Sequence, residues 1–224
     1  MASVIVDNFE SYSVAELNGQ GSWTGTTGDF EVVSSPVNTG ARGVKTTSAG
    51  GTNGAFRVFA DYVTAGSQII YLNHDHDSAG VDIKLVILNT TSPTTTDYTL
   101  NGSAQIALMR EGAGDLQASI ATGDNNETNL TDLATGLSFG TWYKLEIEWD
   151  ASMGLYGQFR GRINDGTWSA WKDTTIGIAF NVLGIGAICL AQNDTAGFTT
   201  YFDDLGGITA ATTASRRMLK GIGT

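Results

Sequence analysis

The chain has 224 residues, 23 acidic and 12 basic, for a formal net charge of −11. That balance argues against a nucleic-acid partner, because neutralising phosphates takes clustered Lys and Arg. A hydrophobic fraction of 41% suffices for a packed core, and no apolar run approaches the ~18 residues of a helical membrane span, so neither a disordered chain nor a membrane partner is expected.

The sequence holds 29 Gly and 2 Pro, and its single cysteine, Cys189, excludes an internal disulfide framework. The opening Met1-Ala2-Ser3-Val4-Ile5-Val6-Asp7 lacks the basic start and longer apolar run of a secretory signal. The chain is therefore expected to leave the cell by another route, to have lost its signal, or not to cross a membrane by itself.

In chain order, the segments 54–60, 67–73, 81–89, 103–110 and 115–122 have the composition of strands, rich in β-branched and aromatic residues and bounded by Gly, Asn, Asp, Ser and Thr. Residues 131–137 read as one short helical turn, and no apolar stripe of helical period is sustained elsewhere. The clearest segment is 141–150. Its Tyr143, Leu145, Ile147 and Trp149 fall on one face, and Lys144, Glu146, Glu148 and Asp150 on the other, which predicts a strand with one core face and one wet face. Between Gln158–Ile163 and Thr167–Lys172 lies Asn164-Asp165-Gly166, whose residues tolerate positive φ, so a tight β-hairpin is predicted.

The stretch 210–224 differs in character. It has no acidic residue and carries Arg216, Arg217 and Lys220, which leaves the rest of the chain with 9 basic against 23 acidic residues, a formal −14. The expected partition is one domain, 1–209, followed by a short basic tail or docking arm, 210–224.

Three groups of residues have the chemistry for a site. Glu146, Glu148 and Asp150 share a strand face at about 6.5–7 Å per step. Paired carboxylates can serve a glycosidase, but the same pattern describes a solvated face whose charges keep a sheet soluble. His74-Asp75-His76-Asp77 sets two imidazoles at i, i+2, a spacing that suits Zn²⁺ and equally a polar loop. Of the five tryptophans, Trp149 alternates in phase with the core, while Trp168 and Trp171 point to opposite faces if their strand is regular. An exposed indole is a platform for a sugar ring, which makes Trp168, Trp171 and Trp23 the carbohydrate-binding candidates. Cys189 stands in the apolar run 184–191 and reads as a small buried hydrophobe. The sequence has no Gly-x-Ser-x-Gly elbow and no phosphate loop.

Val6-Asp7-Asn8-Phe9-Glu10-Ser11-Tyr12 with Leu17-Asn18-Gly19-Gln20-Gly21-Ser22-Trp23, then 142–150 with the Asn164-Asp165-Gly166 hairpin, then Thr200-Tyr201-Phe202-Asp203-Asp204-Leu205, together resemble the concanavalin A-like, laminin G-like jelly-roll superfamily over residues 4–208. The resemblance implies an all-β, two-sheet antiparallel jelly-roll sandwich with its first and last strands side by side. It also implies a structural Ca²⁺ near the chain ends, held by Asp7, Glu10, Asp203 and Asp204, since Ca²⁺ takes hard oxygen ligands. Glucanases of the superfamily carry a Glu-aliphatic-Asp-aliphatic-aliphatic-Glu strand. Here the middle acid is Glu148 and the position of the last Glu is Ala151, so the residue that the pattern makes its acid/base is missing.

Two functions are expected from different classes. The first is a non-catalytic structural or adhesive sandwich, such as a virion decoration protein, a tail-fibre or appendage head, or a carbohydrate-binding module. Its partners would be other protein subunits of a larger assembly, reached through Arg216, Arg217 and Lys220, and a glycan. Its location would be a virion or the cell surface. The second is a polysaccharide hydrolase or lyase, with Glu146 and Glu148 as catalytic residues and His74 or His76 as alternative bases.

Overall fold

The computed structural model describes residues 5–25, 28–47, 51–75, 82–93, 102–112, 115–122, 130–174, 180–194 and 199–209. Its strands are β1 (Thr24–Gly25), β2 (Phe30–Val33), β3 (Gly43–Thr47), β4 (Gly51–Val63), β5 (Ala65–His74), β6 (Asp82–Leu88), β7 (Gly102–Gly112), β8 (Asp115–Thr122), β9 (Thr131–Leu137), β10 (Trp142–Asp150), β11 (Gln158–Ile163), β12 (Lys172–Asp173), β13 (Ile185–Asp194) and β14 (Thr199–Thr209). No helix occurs among the described residues. The strands form two antiparallel sheets of seven, β1-β4-β13-β6-β7-β8-β9 and β12-β11-β10-β5-β14-β3-β2. This is the jelly-roll β-sandwich that the resemblance implies.

The period-2 pattern of β10 fixes its sheet. Tyr143, Leu145, Ile147 and Trp149 are buried, and they align across β5 and β11 with Leu72, Ile70, Phe159 and Ile163. From the other sheet Ile83, Leu85, Ile87, Ile106, Leu108, Ile120, Ile188 and Leu190 complete one core. The two sheets are in close contact at Gly161. A Cβ there would collide with Ile120 Cγ2 and crowd Ile106 Cδ1 at 3.1 Å.

The two sheets treat their outer faces differently. Phe56, Val86, Leu88, Ala187, Cys189 and Ala191 form a second buried apolar cluster on the side of the first sheet away from the main core. Strands buried on both faces lose the alternation of a half-wet strand. This is why β6 and β13 read as near-continuous apolar runs.

Two sequence expectations change here. Residues 131–137 form the edge strand β9, not a helical turn. Its Leu133 and Leu137 pack partly buried against the core, and pairing with β8 overrides a weak local helical signal. The hairpin at Asn164-Asp165 forms as predicted, with φ of 49° and 57° and a bond from Gly166 N–H to the Ile163 carbonyl at 2.8 Å. Its return arm is not a regular strand, however. Only Lys172–Asp173 pairs with β11, and Ser169 reaches β11 through its N–H to the Gly161 carbonyl and through its hydroxyl, which accepts from Gly161 N–H.

Gly161→Ala tests how tightly the sheets close. Overpacking of this kind costs ~1–3 kcal/mol, and at ~2–4 °C per kcal/mol for a domain of this size the melting temperature should fall by roughly 3–10 °C. An unchanged melt would show that the sheets can separate at this point without cost.

Candidate functional site

The outward side of β10 carries Trp142, Lys144, Glu146, Glu148 and Asp150. The register sets Glu146 beside Arg162 and Glu148 beside Arg160. Arg162 donates to Glu146 Oε2 from Nε at 2.7 Å and from Nη2 at 2.6 Å, and Arg160 Nε donates to Glu148 Oε2 at 2.6 Å. Lys144 Nζ donates to Asp165 Oδ1 at 2.6 Å. This bond, with the neighbouring Lys144 and Arg162 charges, holds the Asp165 carboxyl below its ordinary value despite some desolvation. Farther across the sheet, Lys45 pairs with Glu31 at 2.9 Å. The outer face is thus a field of opposite charges paired across strands.

The paired guanidiniums support the aromatics. Arg160 lies 4.7 Å from the Trp168 ring centroid and 4.6 Å from that of Trp171, and Arg162 lies 4.4 Å from Trp168. The two indoles therefore share one guanidinium instead of pointing to opposite faces, because the segment that carries them is not a regular strand. Both rings are half-buried. Cation–π contacts of this kind are worth ~0.5–1 kcal/mol each where exposed. They hold two large flat surfaces over the sheet.

Trp23, the third expected platform, is fully buried. Its Nε1–H donates to Asp7 Oδ2 at 2.9 Å, and Phe9 packs beside it at 6.1 Å between centroids. An indole enclosed in this way has no face free for a sugar.

The four acids named for calcium do not converge. Asp7 exchanges backbone bonds with Leu205, both at 2.8 Å. Its carboxylate accepts from Phe9 N–H, the Tyr12 hydroxyl, Trp23 Nε1–H and Arg57. Burial and the Asp7 carboxylate push the Tyr12 phenol up to about 12, so it remains a donor. Glu10 Oε1 accepts from the N–H groups of Ala41 and Arg42 at 2.8 and 2.9 Å. Asp203 Oδ2 accepts from Asn38 and Thr39 N–H, and Asp204 Oδ2 accepts from the Asn38 amide and Thr39 hydroxyl. Among the described residues no three acidic, His or Cys side chains gather where they could hold a metal ion. The acids act instead as ties between the chain ends and the 38–42 loop, and they do not fit a shared calcium.

His74 faces the interior, fully buried and edge-on to Phe139 at 5.7 Å, while His76 and Asp77 lie outside the described residues. Arg216, Arg217 and Lys220 also lie outside them. Cys189 is buried, and burial raises its thiol well above the usual value, as expected of an inert core cysteine.

Sequence reasoning did not single out Trp142, Tyr71, Asn73 or Tyr201. Register places Trp142, Asn73 and Tyr201 in one row across β10, β5 and β14, on the same outer face. The alternation of β10 marked Trp142 as outward. The other two could be found only once strands distant in sequence were paired.

Asp203 supplies a pH test. Burial pushes its carboxyl up to about 6 from 3.8; the Asp204 charge raises it further, and N–H donors from Asn38, Asp204 and Thr39 act in the opposite direction. The native state holds this proton more tightly than the unfolded chain. The associated stability is complete below about pH 4 and is lost as pH rises through about 6. Asp203→Asn should flatten the melting-temperature profile between these values, as measured by circular dichroism across a pH series. An identical slope in the variant would exclude Asp203 as its source.

No family model matches the sequence, and no curated protein matches it. The fold is shared with solved structures. The globular domain of T. cruzi calreticulin aligns with TM-score 0.60 at 11% identity, over 92% of this chain and 88% of that one. The alginate lyase Aly36B aligns with TM-score 0.57 at 12% identity, over 91% and 95%. An alginate lyase from Pseudomonas aeruginosa aligns with TM-score 0.52 at 10% identity, over 74% and 82%. At these identities the likeness is one of architecture alone, a two-sheet antiparallel jelly-roll sandwich.

Proposed function

We propose that the chain is a non-catalytic, glycan-binding β-sandwich that belongs to a larger assembly of the virion or surface-appendage kind. The observation that carries the glycan reading is the pair of partly exposed indoles, Trp168 and Trp171, held over Arg160 at 4.7 and 4.6 Å. Flat rings fixed on a rigid sheet suit the apolar faces of sugar rings, since little order is lost when they bind. A calreticulin domain and alginate lyases among the structural neighbours are compatible with this reading.

The non-catalytic part rests on Glu146 and Glu148. A glycosidase sets two carboxyls at one bond, with one acting as proton donor. Here each carboxylate is engaged by its own guanidinium, at 2.6–2.7 Å. The hydrolase reading built on this carboxylate pair survives only if Glu146→Gln/Glu148→Gln abolishes sugar release by the native protein.

The platform is tested by a glycan array and by affinity electrophoresis in soluble polysaccharides. Trp168→Ala and Trp171→Ala should each weaken retention by 10-fold or more, about 1.4 kcal/mol or above, while melting temperatures fall by no more than a few degrees. Retention that survives both changes would move the site elsewhere. The assembly part rests on the contrast between a −14 body and the basic residues Arg216, Arg217 and Lys220. Deleting 212–224 should abolish sedimentation with the assembly and leave the melt within a few degrees. A deletion that unfolds the body would make this stretch part of the fold instead.

A further inference from the structure

The platform is one of two aromatic stations on the same face. The second is the row Trp142, Asn73, Tyr201, in which Trp142 is the partly exposed ring and Tyr201, 9% exposed, lies behind it. Trp142 and Tyr201 stand two strand spacings apart, about 9.6 Å, yet their rings approach to 6.5 Å, so they lean together over Asn73. Asn73 is 4% exposed, and its Oδ1 has no hydrogen-bond partner. A buried carbonyl oxygen without a donor is costly, and a native structure supplies one from a ligand or a water. Tyr71 lies half-buried in the next row, between Lys144 and Asp203.

The stations are far apart. Along β10 the row of Glu148 and Arg160 is six residues from the row of Trp142, about 20 Å at ~3.3 Å per residue. A single sugar cannot touch both, but a chain laid diagonally over the sheet can. Between them the described residues of the face offer no spare cation. The four basic residues placed on it by the described strands, Lys45, Lys144, Arg160 and Arg162, are each ion-paired, to Glu31, Asp165, Glu148 and Glu146. The surrounding body carries a formal −14. Such a surface repels a polyanion and leaves no charge to neutralise a uronate. A hydroxyl, in contrast, is the kind of donor that Asn73 Oδ1 lacks, and it reaches this solvent-shielded oxygen when the Trp142 and Tyr201 rings part.

We infer that the ligand is an uncharged polysaccharide bound as an extended chain, with one part on Trp168 and Trp171 and another at Trp142, Asn73 and Tyr201. This rests on the glycan reading above and departs from the alginate chemistry of the lyases that share the fold.

The experiment is calorimetric titration with laminarin, xyloglucan and glucomannan as uncharged probes and alginate as the charged one, followed by a series of oligosaccharides, di- to hexa-, cut from the best binder. Affinity for an uncharged probe should be nearly independent of salt and should rise with oligosaccharide length. Trp142→Ala should lower the affinity of the hexasaccharide 10-fold or more and leave that of the disaccharide unchanged. Tyr201→Phe, which keeps the ring in the sheet, guards against loss of fold and should leave the length dependence intact. Tighter, salt-sensitive binding of alginate would overturn the uncharged ligand. A length series untouched by Trp142→Ala but abolished by Trp168→Ala would overturn the second station and leave the platform standing. Binding to none of the four probes and to nothing on a glycan array would overturn both readings.

Discussion

The outer face of the second sheet depends on one constraint: β10 puts its core residues on one side, and its charges must then be balanced on the other. The balance comes from β11, whose Arg160 and Arg162 fall opposite Glu148 and Glu146 in register. As a contribution to stability the partly exposed Arg160–Glu148 pair is small, ~0.2–1 kcal/mol, while Arg162 covers the buried carboxylate of Glu146. The larger effect of the pairs is on position. A guanidinium held by a carboxylate at 2.6 Å is fixed in place, and it lies 4.7 and 4.6 Å from the ring centroids of Trp168 and Trp171. The irregular arm that carries them has no full strand partner, so ion pair and cation–π contact together do what a ladder of backbone bonds does elsewhere.

Much of the fold was legible because the residues involved obey local rules. The alternation of 142–150 predicted strand, core face and wet face together, and Asn164-Asp165 announced a turn with two positive φ values that the structure contains. Where reading was harder, the cause was long-range. Strand β9 has a sequence, Thr-Asp-Leu-Ala-Thr-Gly-Leu, that suits neither state well, and it is a strand because β8 is beside it. The opposite-face expectation for Trp168 and Trp171 assumed a regular strand, and the arm is not one. The row of Trp142, Asn73 and Tyr201 joins residues that only the sheet order brings together.

The acids near the chain ends show how chemistry and geometry part company. Asp7, Glu10, Asp203 and Asp204 have the residue types of a calcium site, and sequence reading could go no further than type. In the structure each carboxylate is oriented by N–H or O–H donors, and Asp7 is the most heavily used. Its backbone pairs with Leu205 in one sheet, while its side chain accepts from Arg57 on a strand of the other. One residue thus closes an edge of the sandwich. The buried Trp23 belongs to this closure, which explains why an indole that looked available from sequence is enclosed.

The same closure bears on the order in which the molecule can be made. Asp7 pairs with Leu205, and β14 inserts between β3 and β5, so the second sheet cannot be completed until nearly the whole chain exists. Pairings this distant in sequence make folding slow, because a long loop must close before any contact rewards it. During synthesis β3 and β5 wait with unpaired edges for β14, and β6, apolar on both faces, waits for β13 about 100 residues further on. Such edges and apolar runs invite association between nascent chains. The acidic excess of the body, with 23 Asp and Glu, then acts in the unfolded chain as much as in the folded one, keeping neighbouring chains apart while the sandwich assembles.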